Sequence, residues 1–123
     1  MKPSVMLTVA SLLTLLLVMF HLTDDVLLQP DGAVAFPIPV IIFVVWLFGT
    51  LMLPDRVLGY VIMLLGGLAG AAMIVMHSKG GIVPKNGGFF FVWTLFALSA
   101  TGWFTAILSV RGLWLKLRAR RST

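Results

Sequence analysis

VLGYVIMLLGGLAGAAMIVM, residues 57–76, runs for 20 positions without a charged side chain. A helix of that length crosses the ~30 Å hydrocarbon core of a bilayer at ~1.5 Å per residue. A barrel strand would alternate polar and apolar residues, and this stretch does not. Helices also satisfy every backbone group within one segment, which lipid requires. The stretch therefore reads as a membrane-spanning helix. Polar clusters border it: Pro54-Asp55-Arg56 before, and Ser78-Lys79-Gly80-Gly81 through Lys85-Asn86-Gly87-Gly88 after. Such clusters of Gly, Pro, Asp and Asn supply the dihedrals that turns need.

Beyond those turns the pattern repeats. Residues 33–53 and 89–110 are equally free of charge, and residues 5–22 form a first apolar run that continues helically to Leu28. The expected architecture is an all-α membrane protein, a bundle of four transmembrane helices with short loops. The spans are expected near 4–28, 33–53, 56–77 and 88–115, with 116–123 a basic cytoplasmic tail. Pro37 and Pro39 complicate the second span. Either that helix starts near Asp31 and tolerates both prolines, or residues 33–38 enter as irregular chain packed against protein. The opening Met1-Lys2 and its apolar run imitate a signal peptide, with Ala33-Val34-Ala35 as a nominal cleavage site. The run exceeds the usual ~7–15 residues and the spacer to that site is long, so a retained first span is expected.

Composition agrees. The chain has 123 residues, 60% hydrophobic and 11% charged, with a mean hydropathy of +1.10. A soluble domain this short has too much surface to hide so much apolar area. Cysteine is absent, which excludes disulfides, thiolate metal sites and redox thiols. The net charge of +5 does not indicate nucleic acid, because five of nine basic residues lie between Arg111 and Arg121. A basic run directly after an apolar span is a membrane-surface anchor.

Orientation follows from lysine and arginine. Four spans put Lys2, Arg56, Arg111, Lys116, Arg118, Arg120 and Arg121 on one side, seven in all, and Lys79 and Lys85 on the other. The positive-inside rule then makes both termini cytoplasmic and turns Asp24, Asp25 and Asp31 outward.

Several patterns bear on packing. Gly66/Gly70 and Gly67/Ala71 are overlapping small-xxx-small pairs, expected to pack helices within one subunit, with a dedicated dimer face as the alternative. Thr94, Thr101, Thr105 and Ser109 share one face of the fourth span; Ser4, Thr8, Ser11, Thr14, His21 and Asp25 share a broad face of the first. Hydroxyl stripes of this kind belong in a bundle interior, and a proton-conducting path is the sharper alternative. The run Phe89-Phe90-Phe91-Val92-Trp93 and Trp114 suit interfacial aromatic belts.

One constellation has possible chemistry. His21 and the adjoining Asp24 and Asp25 lie at i, i+3 and i+4, so the three side chains can converge. The first and third spans run in the same direction, which brings His77 to the same outer level. His21, Asp24, Asp25 and His77 together would suit a divalent metal, since imidazole favours zinc, copper, iron or nickel. The same groups could relay protons. The plainer alternatives are a structural polar cluster, with Lys79 pairing an aspartate, and a partner-binding surface. Haem held between the two histidines is a narrower form of the metal reading, disfavoured because little chain is left to enclose a porphyrin. No nucleophile elbow, phosphate-binding loop or hydride-cofactor fingerprint is present, so the chain is not expected to be an enzyme, and its cofactor stays undefined.

With the His21–Asp25 motif, Gly59-Tyr60-Val61-Ile62-Met63, His77 and Gly87-Gly88-Phe89-Phe90-Phe91-Val92-Trp93 in view, the chain resembles small bacterial inner-membrane proteins with four spans. The resemblance covers nearly the whole length. It implies a bacterial plasma-membrane location and brings no activity, substrate or site residue. Two functions are expected to compete. The first is a small helical subunit or accessory protein of a membrane complex, whose partners are the bilayer and a membrane protein or further copies of itself. The second is a small transporter or metal- or proton-handling protein using the outer His/Asp cluster.

Overall fold

The computed structural model describes residues 2–28, 37–78 and 88–123. Four helices fill them: α1 Pro3–Leu28, α2 Pro37–Met52, α3 Val57–Ser78 and α4 Phe89–Arg121. Together they form an all-helical membrane bundle.

Local sequence explains the helix boundaries. α1 begins on Pro3, at the position where a missing N–H costs nothing, and the Met6 N–H closes the first turn on the Lys2 carbonyl at 3.0 Å. The same rule settles the question posed by Pro37 and Pro39. Both fall in the first turn of α2, so neither breaks an intrahelical bond; the expected lead-in, residues 33–36, lies outside the described residues. α2 therefore has 16 residues, about 24 Å of helix against the ~30 Å core. Pro54 follows its end, and the chain turns through Asp55 and Arg56, with Arg56 N–H on Leu53 O at 3.1 Å.

α4 departs from expectation. Instead of ending near 115 it continues through most of the supposed tail to Arg121, 33 residues in all. No glycine or proline follows Gly112, and Leu, Lys, Arg and Ala are strong helix formers. Arg118, Arg120 and Arg121 also occupy the last turn, where cations meet the negative end of the helix dipole.

α1 and α3 run parallel, and α4 runs antiparallel to both. α4 packs most closely on α3 and next on α1, whereas α2 lies at the side against α3 and α1. Glycine sets the α3–α4 distance. A Cβ on Gly67 would fall 2.8 Å from both Ala106 N and Gly102 O, so the two backbones touch. The small residues of α3 thus work inside the subunit. Gly66 serves α2 instead, because any side chain there would overlap the indole of Trp46.

The surface is inverted relative to a soluble bundle. Leu13, Leu16 and Phe20 of α1, Ile41, Val44 and Phe48 of α2, Leu65 and Val75 of α3, and Phe96, Trp103 and Ile107 of α4 all face outward. Ser11, Thr14, Thr50, Thr94, Thr105 and Ser109 are fully buried. Lipid solvates the first group; in the second, Ser11–Thr50 and Thr14–Thr105 bond across helices, while Thr94 and Ser109 bond carbonyls of their own helix.

Candidate functional site

Two sets of polar side chains lie inside the bundle. The first sits at mid-depth and is built from the hydroxyl stripes. Trp46 Nε1–H donates to Ser11 Oγ at 2.9 Å, and Ser11 Oγ lies 2.8 Å from Thr50 Oγ1. Thr50 donates to its own helix at Trp46 O, 2.9 Å away. A hydroxyl has one proton to give, so Ser11 must be the donor to Thr50. The circuit from indole to serine to threonine to the carbonyl of Trp46 is closed. The same accounting applies between α1 and α4. Thr14 donates to Ala10 O at 2.8 Å, so in its 3.0 Å contact with Thr105 it accepts. Ser109 donates to Thr105 O at 2.8 Å, and Ser99 crosses from α4 to Ala71 O at 3.1 Å. Every one of these chains ends on a backbone carbonyl.

The second set is the histidine pair. His21 lies seven residues, or about two helical turns, beyond Thr14 on the same face of α1 and is fully buried. His77 occupies the last turn of α3. Their Nε2 atoms are 3.3 Å apart, with ring centroids at 4.7 Å and planes inclined at 78°. His77 Nδ1 is 2.9 Å from Met73 O. A carbonyl only accepts, so His77 carries a proton on Nδ1. In the tautomer of His77 with Nδ1–H alone, Nε2 accepts and His21 Nε2–H is the donor across the pair. The bond to Met73 also fixes the ring, as outer partners of metal-bound histidines do.

Phe91 closes this end. Its ring centroid lies 4.8 Å from His21 and 5.7 Å from His77, and the residue is 2% exposed. Sequence reasoning assigned Phe91 to an interfacial belt along with its neighbours. Phe89, Phe90 and Trp93 do face outward; Phe91 does not. Its spacing to Thr94, Leu95 and Leu98, all buried, marks the inner face of α4 and is the signal that separates it from the belt.

Of the four residues His21, Asp24, Asp25 and His77, the structure brings the two histidines together. Asp24 is half-buried, and its Oδ2 is buried without a hydrogen-bond partner among the described residues. The Asp25 side chain, Lys79 and Asp31 lie outside the described residues. Among the described residues no three His, Cys, Asp or Glu side chains form a metal-ligating group. The pair alone has a spacing that suits two ligands of one tetrahedral ion: bonds of ~2.0–2.1 Å at the tetrahedral angle put two nitrogens about 3.3–3.4 Å apart. Haem iron, with its axial nitrogens on opposite sides, would need about 4 Å between them at similar bond lengths. The 3.3 Å contact and the Phe91 ring leave no room for a porphyrin.

The chain matches no protein-family model, no curated protein and no solved structure. Its functional reading rests on the residues themselves.

Proposed function

We propose that this chain is a small helical subunit or accessory protein of a membrane complex, without enzymatic activity, in a bacterial plasma membrane with both termini cytoplasmic. The observation that carries this reading is the closure of the mid-depth hydroxyl circuits on backbone carbonyls. A conduit needs polar groups that can exchange partners with water or substrate. Here each hydroxyl proton in those circuits is committed to a neighbouring helix or its own turn, so the stripes act as interhelical glue. The orientation rests on the sequence count, in which four spans put seven basic residues on one side against two, Lys79 and Lys85, on the other.

α2 is the surface best suited to a partner. It is the side helix of the bundle, short and almost wholly apolar. Beside it Ile41, Val45, Ile62 and Leu65 line a recess against Gly66 and Ala69. The test is native mass in mild detergent, followed with the full chain. The expected particle is much larger than the 13.4 kDa monomer, and Val45→Trp or Ile41→Trp on the lipid-facing side should release the chain while leaving it helical. A particle of monomer mass for the unaltered chain would contradict the reading.

A second reading is supported by the histidine pair, whose geometry fits metal binding or proton handling at the outer end. It predicts stoichiometric zinc or copper binding by the purified chain, lost in His21→Ala and in His77→Ala. Absence of binding in the intact chain would remove the metal form of this reading.

A further inference from the structure

The opposite end of the bundle carries a recess of about 250 Å³. Pro3 and Leu7 of α1 and Leu108 and Leu115 of α4 form its apolar wall, and Arg111 and Lys116 of α4 line it as well. We infer that this recess is a binding site for an anionic phospholipid, its phosphate held by Arg111 and Lys116 and its glycerol and first acyl carbons against the leucine wall.

Depth is the first argument. The charge-free stretch of α4, residues 89–110, has 22 residues, about 33 Å of helix and enough for the hydrocarbon core. Arg111 therefore falls at the edge of the core, and Lys116 lies about 7–8 Å further out by helix rise. That interval is where lipid phosphates reside. The recess spans the same interval, with Leu7 and Leu108 on its core side and Leu115 flanked by Arg111 and Lys116 towards the headgroups.

Charge is the second. Lys2, Arg56, Arg111, Lys116, Arg118, Arg120 and Arg121 gather at this end. Among the described residues, Asp55 joins them while Asp24 lies near the far end of α1, and Asp55 lies 3.5 Å from the Tyr60 hydroxyl. Basic recesses between membrane helices recognise anionic headgroups. The basic residues are also not equivalent. Arg118 stacks over the Trp114 ring, its Cζ 5.3 Å from the centroid, and neither Arg120 nor Arg121 lines the recess. Arg111 and Lys116, five residues apart on α4, both do.

The site does not depend on the assembly reading above, because the lipid and a protein partner occupy different faces. Native mass spectrometry of the full chain, released from micelles containing phosphatidylglycerol or phosphatidylcholine, tests it. Each basic side chain at a membrane surface contributes about fivefold in affinity for anionic lipid, so two predict a preference of about 30-fold for phosphatidylglycerol. Arg111→Gln with Lys116→Gln should reduce that preference to near unity, whereas Arg118→Gln, Arg120→Gln and Arg121→Gln together should leave most of it. Ala119→Trp, which fills the recess without changing charge, should lower retention of the lipid. The double and triple variants weakening retention alike would mean diffuse surface charge and overturn the site. Retention unchanged in Ala119→Trp would overturn the recess as its location. Displacement of the lipid by inorganic phosphate at the same concentration would show a free-anion site instead, which also overturns the proposal.

Discussion

Gly102→Ala is the substitution that most severely tests how α3 and α4 are held together. A Cβ on Gly102 would stand 2.7 Å from Gly67 O and 2.9 Å from Gly70 C, with Ala71 N also in the way. Carbon atoms rest about 3.5–4.0 Å from their neighbours, so relief requires the helices to part by roughly 0.5–1 Å. All the obstructing atoms are backbone, and no rotamer change removes them. A radial gap of that size forfeits a quarter to a half of each contact's attraction, and overpacking of this kind costs about 1–3 kcal/mol. Gly70→Ala is the internal control. Its Cβ would meet Thr14 Cγ2 at 3.1 Å and Leu98 Cδ1 at 3.3 Å, ends of side chains that can yield by tenths of an ångström. Alanine also gains up to ~1 kcal/mol over glycine in a helix, so this change should be nearly neutral. Reversible unfolding in bicelles should rank Gly102→Ala at least about 1 kcal/mol below Gly70→Ala, in line with the overpacking range. Equal stability of the two variants would refute the backbone contact between α3 and α4.

Three further outcomes follow from the interior. Trp46→Phe removes the indole donor to Ser11, leaves the Ser11–Thr50 bond in place, and should destabilise the bundle by about 0.6–1.7 kcal/mol, the range for interhelical hydrogen bonds in lipid; Ser11→Ala combined with it should add less than the two changes measured separately. Nitrogen-15 NMR of labelled imidazoles should find His77 protonated at Nδ1, while protonation at Nε2 alone would contradict its bond to Met73. Phe91→Ala takes away the ring that packs on both histidines and should cost about 3–5 kcal/mol by core-truncation precedent, whereas Phe90→Ala, on the outward face, should cost much less; thermal unfolding in detergent distinguishes them.

The fold was legible because lipid demands long uninterrupted apolar helices, and residues 57–76 and 89–110 admit no other reading. Boundaries were less so. Pro37 and Pro39 obstruct a helix interior but not the first turn, where α2 holds both, and the run after Leu115 has the charge pattern of a tail but the propensity of a helix. At the candidate site, helical spacing and parallel direction sufficed to bring His21 and His77 to one level. Lateral adjacency did not follow from the sequence, since it depends on which helices pack against α4, and Gly67 meeting Gly102 decides that. Gly102 and Ala106 form a small-xxx-small pair of their own in α4, the complement of Gly67/Ala71 in α3, and that pairing is the signal for the contact. Phe91 was hidden among outward-facing aromatics, and only its register with Leu95 and Leu98 sets it apart.

On the proposed reading, the hydroxyls of the polar interior join helices and do not form a conducting path. Proton flux into liposomes containing the full chain, driven by a potassium diffusion potential and read with an entrapped pH dye, tests it directly. The account predicts a rate equal to that of empty liposomes, unchanged by Thr14→Val or by His21→Ala. Flux well above empty liposomes that disappears in His21→Ala would contradict it and make the histidine pair part of a conducting path.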